Sequence, residues 1–117
     1  MIDTIMKAVT WIIVGVELLM GGVSYVQAAP NGHNVTVVQF SKGSFEQATS
    51  GRWLEFGAGS NQARYTFQET NRDAWSVYLV DHRRGVKIQI DLHRRWIRYA
   101  DQAYPRYRDL YAVTGGA

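Results

Sequence analysis

Between Ala63 and Tyr99 the chain alternates apolar and polar residues almost without a break. The stretch reads ARYTFQE, WSVYLVD, VKIQIDL and WIRY, and its interruptions fall at Asn, Asp, Gly and clustered Arg. A period of two places alternate side chains on opposite faces of a strand, so the segment predicts an antiparallel meander with one dry and one wet face. Ala63, Tyr65, Phe67, Trp75, Val77, Leu79, Val86, Ile88, Ile90, Leu92, Ile97 and Tyr99 are expected to face the core. The wet face is expected to carry Arg64, Tyr78, Lys87, Gln89, Asp91, Trp96 and Arg98. Turns are expected at Thr70–Asp73, at His82–Gly85, where Gly85 supplies a positive φ, and at His93–Arg95.

Upstream, Val35–Phe40 and Arg52–Phe56 read as two further strands, with Ser41–Gly51 a polar loop between them that has room for one helical turn around Phe45–Gln47, and Gly57–Asn61 a hairpin turn. Downstream, Ala100–Arg108 reads as a long polar loop and Leu110–Thr114 as a last strand, after which Gly115–Ala117 is expected to fray. No internal repeat stands out. About seven strands joined by hairpins predict an all-β domain, a small antiparallel β-sandwich or partly closed barrel, because a lone flat sheet would leave an apolar face wet.

Residues 1–28 differ in kind from the rest and predict a hydrophobic helix ahead of the β domain. An apolar run follows Lys7, and Val26 and Ala28 stand at the −3 and −1 positions of a secretory cleavage site. Initiation at Met6 would shorten the leading region. Glu17 interrupts the run, and a carboxylate at mid-bilayer costs about 2.5–3.5 kcal/mol on insertion scales. Cleavage after Ala28 is the leading reading; an uncleaved anchor over residues 8–26 is the second, and a helix of the folded domain the third. Gly15, Gly21 and Gly22 weigh against the third. Residues 29–35 read as a flexible leader, residues 36–117 as a single domain. Asn34-Val35-Thr36 fits the N-glycosylation triplet, which is common by chance.

The 117 residues carry a net charge of +3 and no cysteine. One small domain without disulfides must rest on its packed core. A mildly basic surface is compatible with nucleic acid, phospholipid or acidic glycan and does not choose among them. An export signal argues against nucleic acid, and a membrane is reached only through an uncleaved first segment.

Meander geometry places the first and third turns at one end of the sheet and the second turn beside the Ala100–Arg108 loop at the other. Arg83, Arg84, Arg106 and Tyr107 therefore form a candidate cluster for a bidentate oxyanion. On the wet face Tyr78, Gln89, Asp91, Trp96 and Arg98 form a candidate sugar site, with an aromatic ring for C–H stacking and planar polar groups for hydroxyls. The plainer readings are turns made soluble by arginine and a tryptophan that covers a seam.

Catalysis finds little support. His33 falls in the leader and His82 and His93 in turns at opposite ends of the sheet, no HExxH, GxSxG or Walker pattern occurs, and Gly57-Ala58-Gly59 lacks the helix and Lys-Ser/Thr of a phosphate loop. Asp81–His82 and Asp91–His93 are not aimed at one reaction centre. No cofactor or metal is expected. The expectation is an exported, non-catalytic module for a glycan or another anionic envelope surface. The alternative is a protein–protein module such as an inhibitor, effector or adhesion partner, and an exposed edge strand could pair two copies.

Overall fold

The computed structural model describes residues 29–117; the expected N-terminal helix, with its signal or anchor role, lies outside the described residues. Nine strands follow in order: β1 (Val37–Phe40), β2 (Gly43–Thr49), β3 (Arg52–Gly57), β4 (Ala63–Arg72), β5 (Ser76–Asp81), β6 (Val86–Asp91), β7 (Trp96–Ala100), β8 (Arg108–Ala112) and β9 (Gly115–Gly116). They form one antiparallel sheet in the order β8-β7-β6-β5-β4-β3-β2-β1-β9, curled into a half-barrel. There is no second sheet among the described residues, so the barrel alternative holds and the sandwich does not.

The curl is visible in a single contact. Six strands lie between β8 and β1 in the sheet, yet the Phe40 ring stacks on Tyr111 with centroids 4.1 Å apart and planes 9° from parallel. Phe45 fills the space beneath, 5.7 Å from Phe40 and 5.6 Å from Phe67. Around these rings Val77, Leu79, Val86, Ile88, Ile90 and Ile97 are buried on the inner face, as the alternation predicts. Each such side chain contributes about 1.5–3 kcal/mol relative to leaving it in water.

Two strands are absent from the sequence reading. The expected loop over Ser41–Gly51 is β2, entered through a tight turn that pairs Phe40 with Gly43. Its one large apolar residue, Phe45, gives too little pattern to signal a strand. Gly43 is required because a Cβ there would run into the Phe56 carbonyl oxygen. The expected frayed end is β9, which pairs with Val38 and Gln39 of β1. Ala117 extends the pairing, with its N–H on the Val37 carbonyl at 2.9 Å. The leader, too, is tied down. Val35 is fully buried, and the Gly32 N–H donates to the Ala74 carbonyl at 2.9 Å.

Three expected inward residues are exposed. Ala63 and Tyr65 are exposed because β4 begins at the open end of the half-barrel, where no layer lies opposite. Trp75 is 60% exposed because it precedes β5, and the alternation starts only at Ser76.

Bulges in β4 redirect two arginines. With Thr70 as the extra residue, Glu69 and Arg72 fall on one face, and Arg72 donates to both carboxylate oxygens at 2.6 and 3.0 Å. Trp53 Nε1 donates to the same carboxylate at 3.0 Å, and Arg72 also reaches the His33 and Val35 carbonyls of the leader. Arg72 draws the Glu69 carboxyl below its usual range. At the other end of β4 the extra residue is Arg64, which pairs at 2.7 Å with the buried Glu55, and that bond holds the guanidinium pKa up.

Candidate functional site

Chain direction sorts the turns into two ends. At one end β4 and β5 are joined by a bend that Asp73 builds. Its Oδ1 accepts the Trp75 and Ser76 N–H groups, both at 2.9 Å, and its own N–H donates to the Ser76 carbonyl. An Asp side chain that takes up the amides two and three residues on fixes the bend and leaves the side chain two residues on outside the strand. Trp75 is that side chain. Its indole stacks on the His93 ring of the β6–β7 turn, centroids 4.2 Å apart and planes 13° from parallel. The Leu92 N–H donates to the Trp75 carbonyl at 2.8 Å and holds the two turns together.

Beside this stack lies a shallow pocket of about 240 Å³. Asp73, Ala74, Trp75, Ser76, Tyr78, Gln89 and Asp91 line it. The cross-strand register explains the grouping: Ser76 pairs with Asp91, and Tyr78 with Gln89. Gln89 Nε2 donates to Ser76 Oγ at 3.2 Å, which leaves the amide oxygen directed elsewhere. Asp91 lines the wall yet is only 6% exposed, and Arg94 uses both of its oxygens, each at 3.0 Å. Burial pushes this carboxyl up, but the Arg94 N–H and guanidinium outweigh it, and the net shift is downward.

At the opposite end, the open mouth of the half-barrel, rings and guanidinium groups interleave. Arg84 lies 3.5 Å from the Tyr65 centroid and pairs with Asp81. Arg108 lies 4.4 Å from the Tyr104 ring and 5.4 Å from Tyr99. Asp101 orders the loop between β7 and β8: it accepts the Tyr99 hydroxyl at 2.9 Å and the Tyr104 N–H at 2.8 Å. That hydroxyl bond raises the Tyr99 pKa, and the Tyr104 amide leads in lowering Asp101.

The expected site residues are thus distributed as follows. Tyr78, Gln89 and Asp91 come together in the pocket. Trp96 pairs with Asp91 across the sheet and is 37% exposed, but it lies outside the lining. Arg98 sits in the Tyr78–Gln89 row and is taken up by Asp109 at 3.0 Å and by the Tyr107 carbonyl at 3.0 Å. Tyr107 belongs with these face residues and not with the arginine cluster: burial raises its phenol pKa, Tyr78 adds to the rise and Arg98 opposes it. Arg83 and Arg106 are exposed near the mouth. Asp73 and His93 fall at one end of the sheet as the sorting of turns predicts, but the sequence assigns no binding role to them or to Trp75 and Ser76. The signal for them was an Asp two residues before a Trp at a strand start, the signature of a capped bend.

Among the described residues no group of three or more His, Cys, Asp or Glu side chains could hold a metal ion. Compared with known protein families, curated proteins and solved structures, the chain matches none.

Proposed function

We propose that this chain is a non-catalytic binding module that holds a sugar of an envelope glycan against Trp75. One observation carries the reading: a 60% exposed indole, braced flat by His93, stands beside a pocket lined with hydroxyl, amide and carboxylate groups. The C–H face of a pyranose packs on an indole, while its hydroxyls bond to planar polar groups such as Gln89 and to the Ser76 and Tyr78 hydroxyls. The volume is below the roughly 300–1,000 Å³ of a small-molecule cleft, which suits one or two rings of a polymer that crosses the surface.

An uncharged sugar fits better than an anionic one. The pocket wall has no cation of its own, Asp91 is neutralised by Arg94, and Asp73 adds a negative charge. The non-catalytic reading is supported by the carboxylates, each of which among the described residues already holds a hydroxyl, an N–H or a guanidinium. Export through residues 1–28 would bring the module to such a glycan.

A glycan array with the full chain tests this. Trp75→Ala is expected to weaken binding at least tenfold, about 1.4 kcal/mol, with an unchanged melting temperature, because the ring is exposed. Trp96→Ala is expected to bind normally. Full binding by Trp75→Ala would overturn the pocket. A protein partner recovered at high salt that competing sugars cannot displace would favour the interaction-module alternative.

A further inference from the structure

We infer that the mouth of the half-barrel is a second, separate site, one that takes the oxyanion groups of an acidic polysaccharide on Arg108. Charge at this end is lopsided. The β5–β6 turn with its flank and the β7–β8 loop bring Arg83, Arg84, Lys87, Arg106 and Arg108 together, against Asp81 and Asp101. The two segments are in contact, since a Cβ at Gly85 would meet the Gln102 side chain at 3.2 Å.

Arg84 is spent: its guanidinium pairs with Asp81 and covers Tyr65. Arg108 is not. Tyr104 and Tyr99 fix its position by contact with the rings, yet among the described residues its guanidinium donates no hydrogen bond. A guanidinium held in place with its N–H donors unused is prepared for bidentate contact with carboxylate or sulfate, since little conformational freedom remains to be lost on binding. Asp101 fixes the loop that presents Tyr104, so the receptor is built before a ligand arrives. Arg83 and Arg106, in the same turn and loop, and Lys87, on the outer face of β6, are exposed charges that attract a polyanion from a distance.

The rings argue for a polysaccharide over other polyanions. Single-stranded nucleic acid needs open aromatic faces on which bases stack. Here, among the described residues, the mouth offers only two exposed rings, Tyr65 and Tyr104, each with a guanidinium over one face, too few for a run of stacked bases. A lipid surface calls for apolar side chains that insert, and the exposed large side chains at the mouth are the two tyrosines.

The test titrates the full chain with dextran sulfate, polygalacturonate and neutral dextran at several salt concentrations. Binding to the two acidic polymers that weakens as salt rises is expected; any binding of neutral dextran is expected to be independent of salt and to be lost in Trp75→Ala. Arg108→Gln is expected to weaken the salt-dependent binding roughly tenfold at an unchanged melting temperature, and Trp75→Ala to leave the salt dependence as it is. Equal binding by Arg108→Gln and the parent chain would overturn the inference. So would tighter binding to a single-stranded oligonucleotide or to vesicles of anionic phospholipid than to either acidic polymer. Because the Trp75 and Arg108 variants are read separately, failure of this site is distinguishable from failure of the sugar pocket.

Discussion

The turn from Asp81 to Gly85 and the turn from Asp91 to Arg95 are built alike and stand at opposite ends of the sheet. In both, an Asp at the end of a strand accepts N–H groups of the turn on Oδ1 and the guanidinium of the arginine three residues on with Oδ2. In both, the fifth residue adopts left-handed backbone, with φ 65° at Gly85 and 63° at Arg95. Asp101, ten residues further on, accepts the N–H three residues ahead in the same manner. The local chemistry repeats, and the surroundings differ. One turn sends Arg84 over Tyr65 at the open mouth; the other sets His93 beneath Trp75 at the pocket. The two ends of this small fold therefore differ in what is packed against the turn, not in the turn itself.

Removal of the shared element should have the largest effect. Asp81→Ala and Asp91→Ala each strip two or more turn donors of their acceptor, which costs about 1–3 kcal/mol where the site is partly buried. Urea titration should show a similar loss for both variants. A much smaller loss for Asp81→Ala would mean that the mouth turn is held by Arg84 on Tyr65 and not by its cap. Asp91→Ala should in addition weaken sugar binding, since it frees Arg94 beside the pocket, while Asp81→Ala should leave it intact.

Acid should dissolve both turns together. Burial pushes each carboxyl up, but hydrogen bonds and charge from Arg84 or Arg94 outweigh it, so each folded-state pKa lies below its usual value. Glu69 is lowered as well, chiefly by Arg72. Groups depressed on folding contribute stability that is complete above the unfolded pKa of about 4 and is lost as pH falls through the folded values. Thermal melts at constant ionic strength should be flat from pH 7 to about pH 5 and then decline. A melting temperature that stays level down to pH 2 would remove these carboxylates from the account.

How far such detail was legible in the sequence depends on how strongly each element is patterned. The strands β5, β6 and β7 alternate cleanly, and Val77, Leu79, Ile88, Ile90 and Ile97 lie where the period of two puts them. β2 has only Phe45 as a signal, and β9 is a pair of glycines whose place is fixed by β1 alone. Tyr65 fits the inward pattern, but at the mouth there is no opposite layer to cover it. The outer-face row of Tyr78 and Gln89 follows from register and could be foreseen. Trp75 could not be placed by alternation because it belongs to a bend, and bends follow capping chemistry. The ten-residue spacing of Asp81, Asp91 and Asp101 is plain in the sequence, but a reading of apolar period alone passes over it.

The smallest expected effect is also the cleanest contrast between the twin turns. Left-handed backbone costs an L side chain about 1–2 kcal/mol, whereas glycine adopts it freely. Gly85→Ala should therefore lose about 1 kcal/mol, with little added from packing, since the new Cβ meets only the flexible end of Gln102. Arg95→Gly should relieve the same strain in the other turn. Glycine's greater freedom in the unfolded chain takes back about 0.5–1 kcal/mol, so a net gain of about 0.5–1 kcal/mol remains. The Arg95 carbonyl, which accepts the Val113 N–H at 2.9 Å, is retained in the variant. Opposite signs for the two substitutions in denaturant unfolding would establish that the turns share one backbone geometry. A loss of stability in Arg95→Gly would show instead that the Arg95 side chain contributes more than its conformation costs, and the likeness between the two turns would then end at the aspartate.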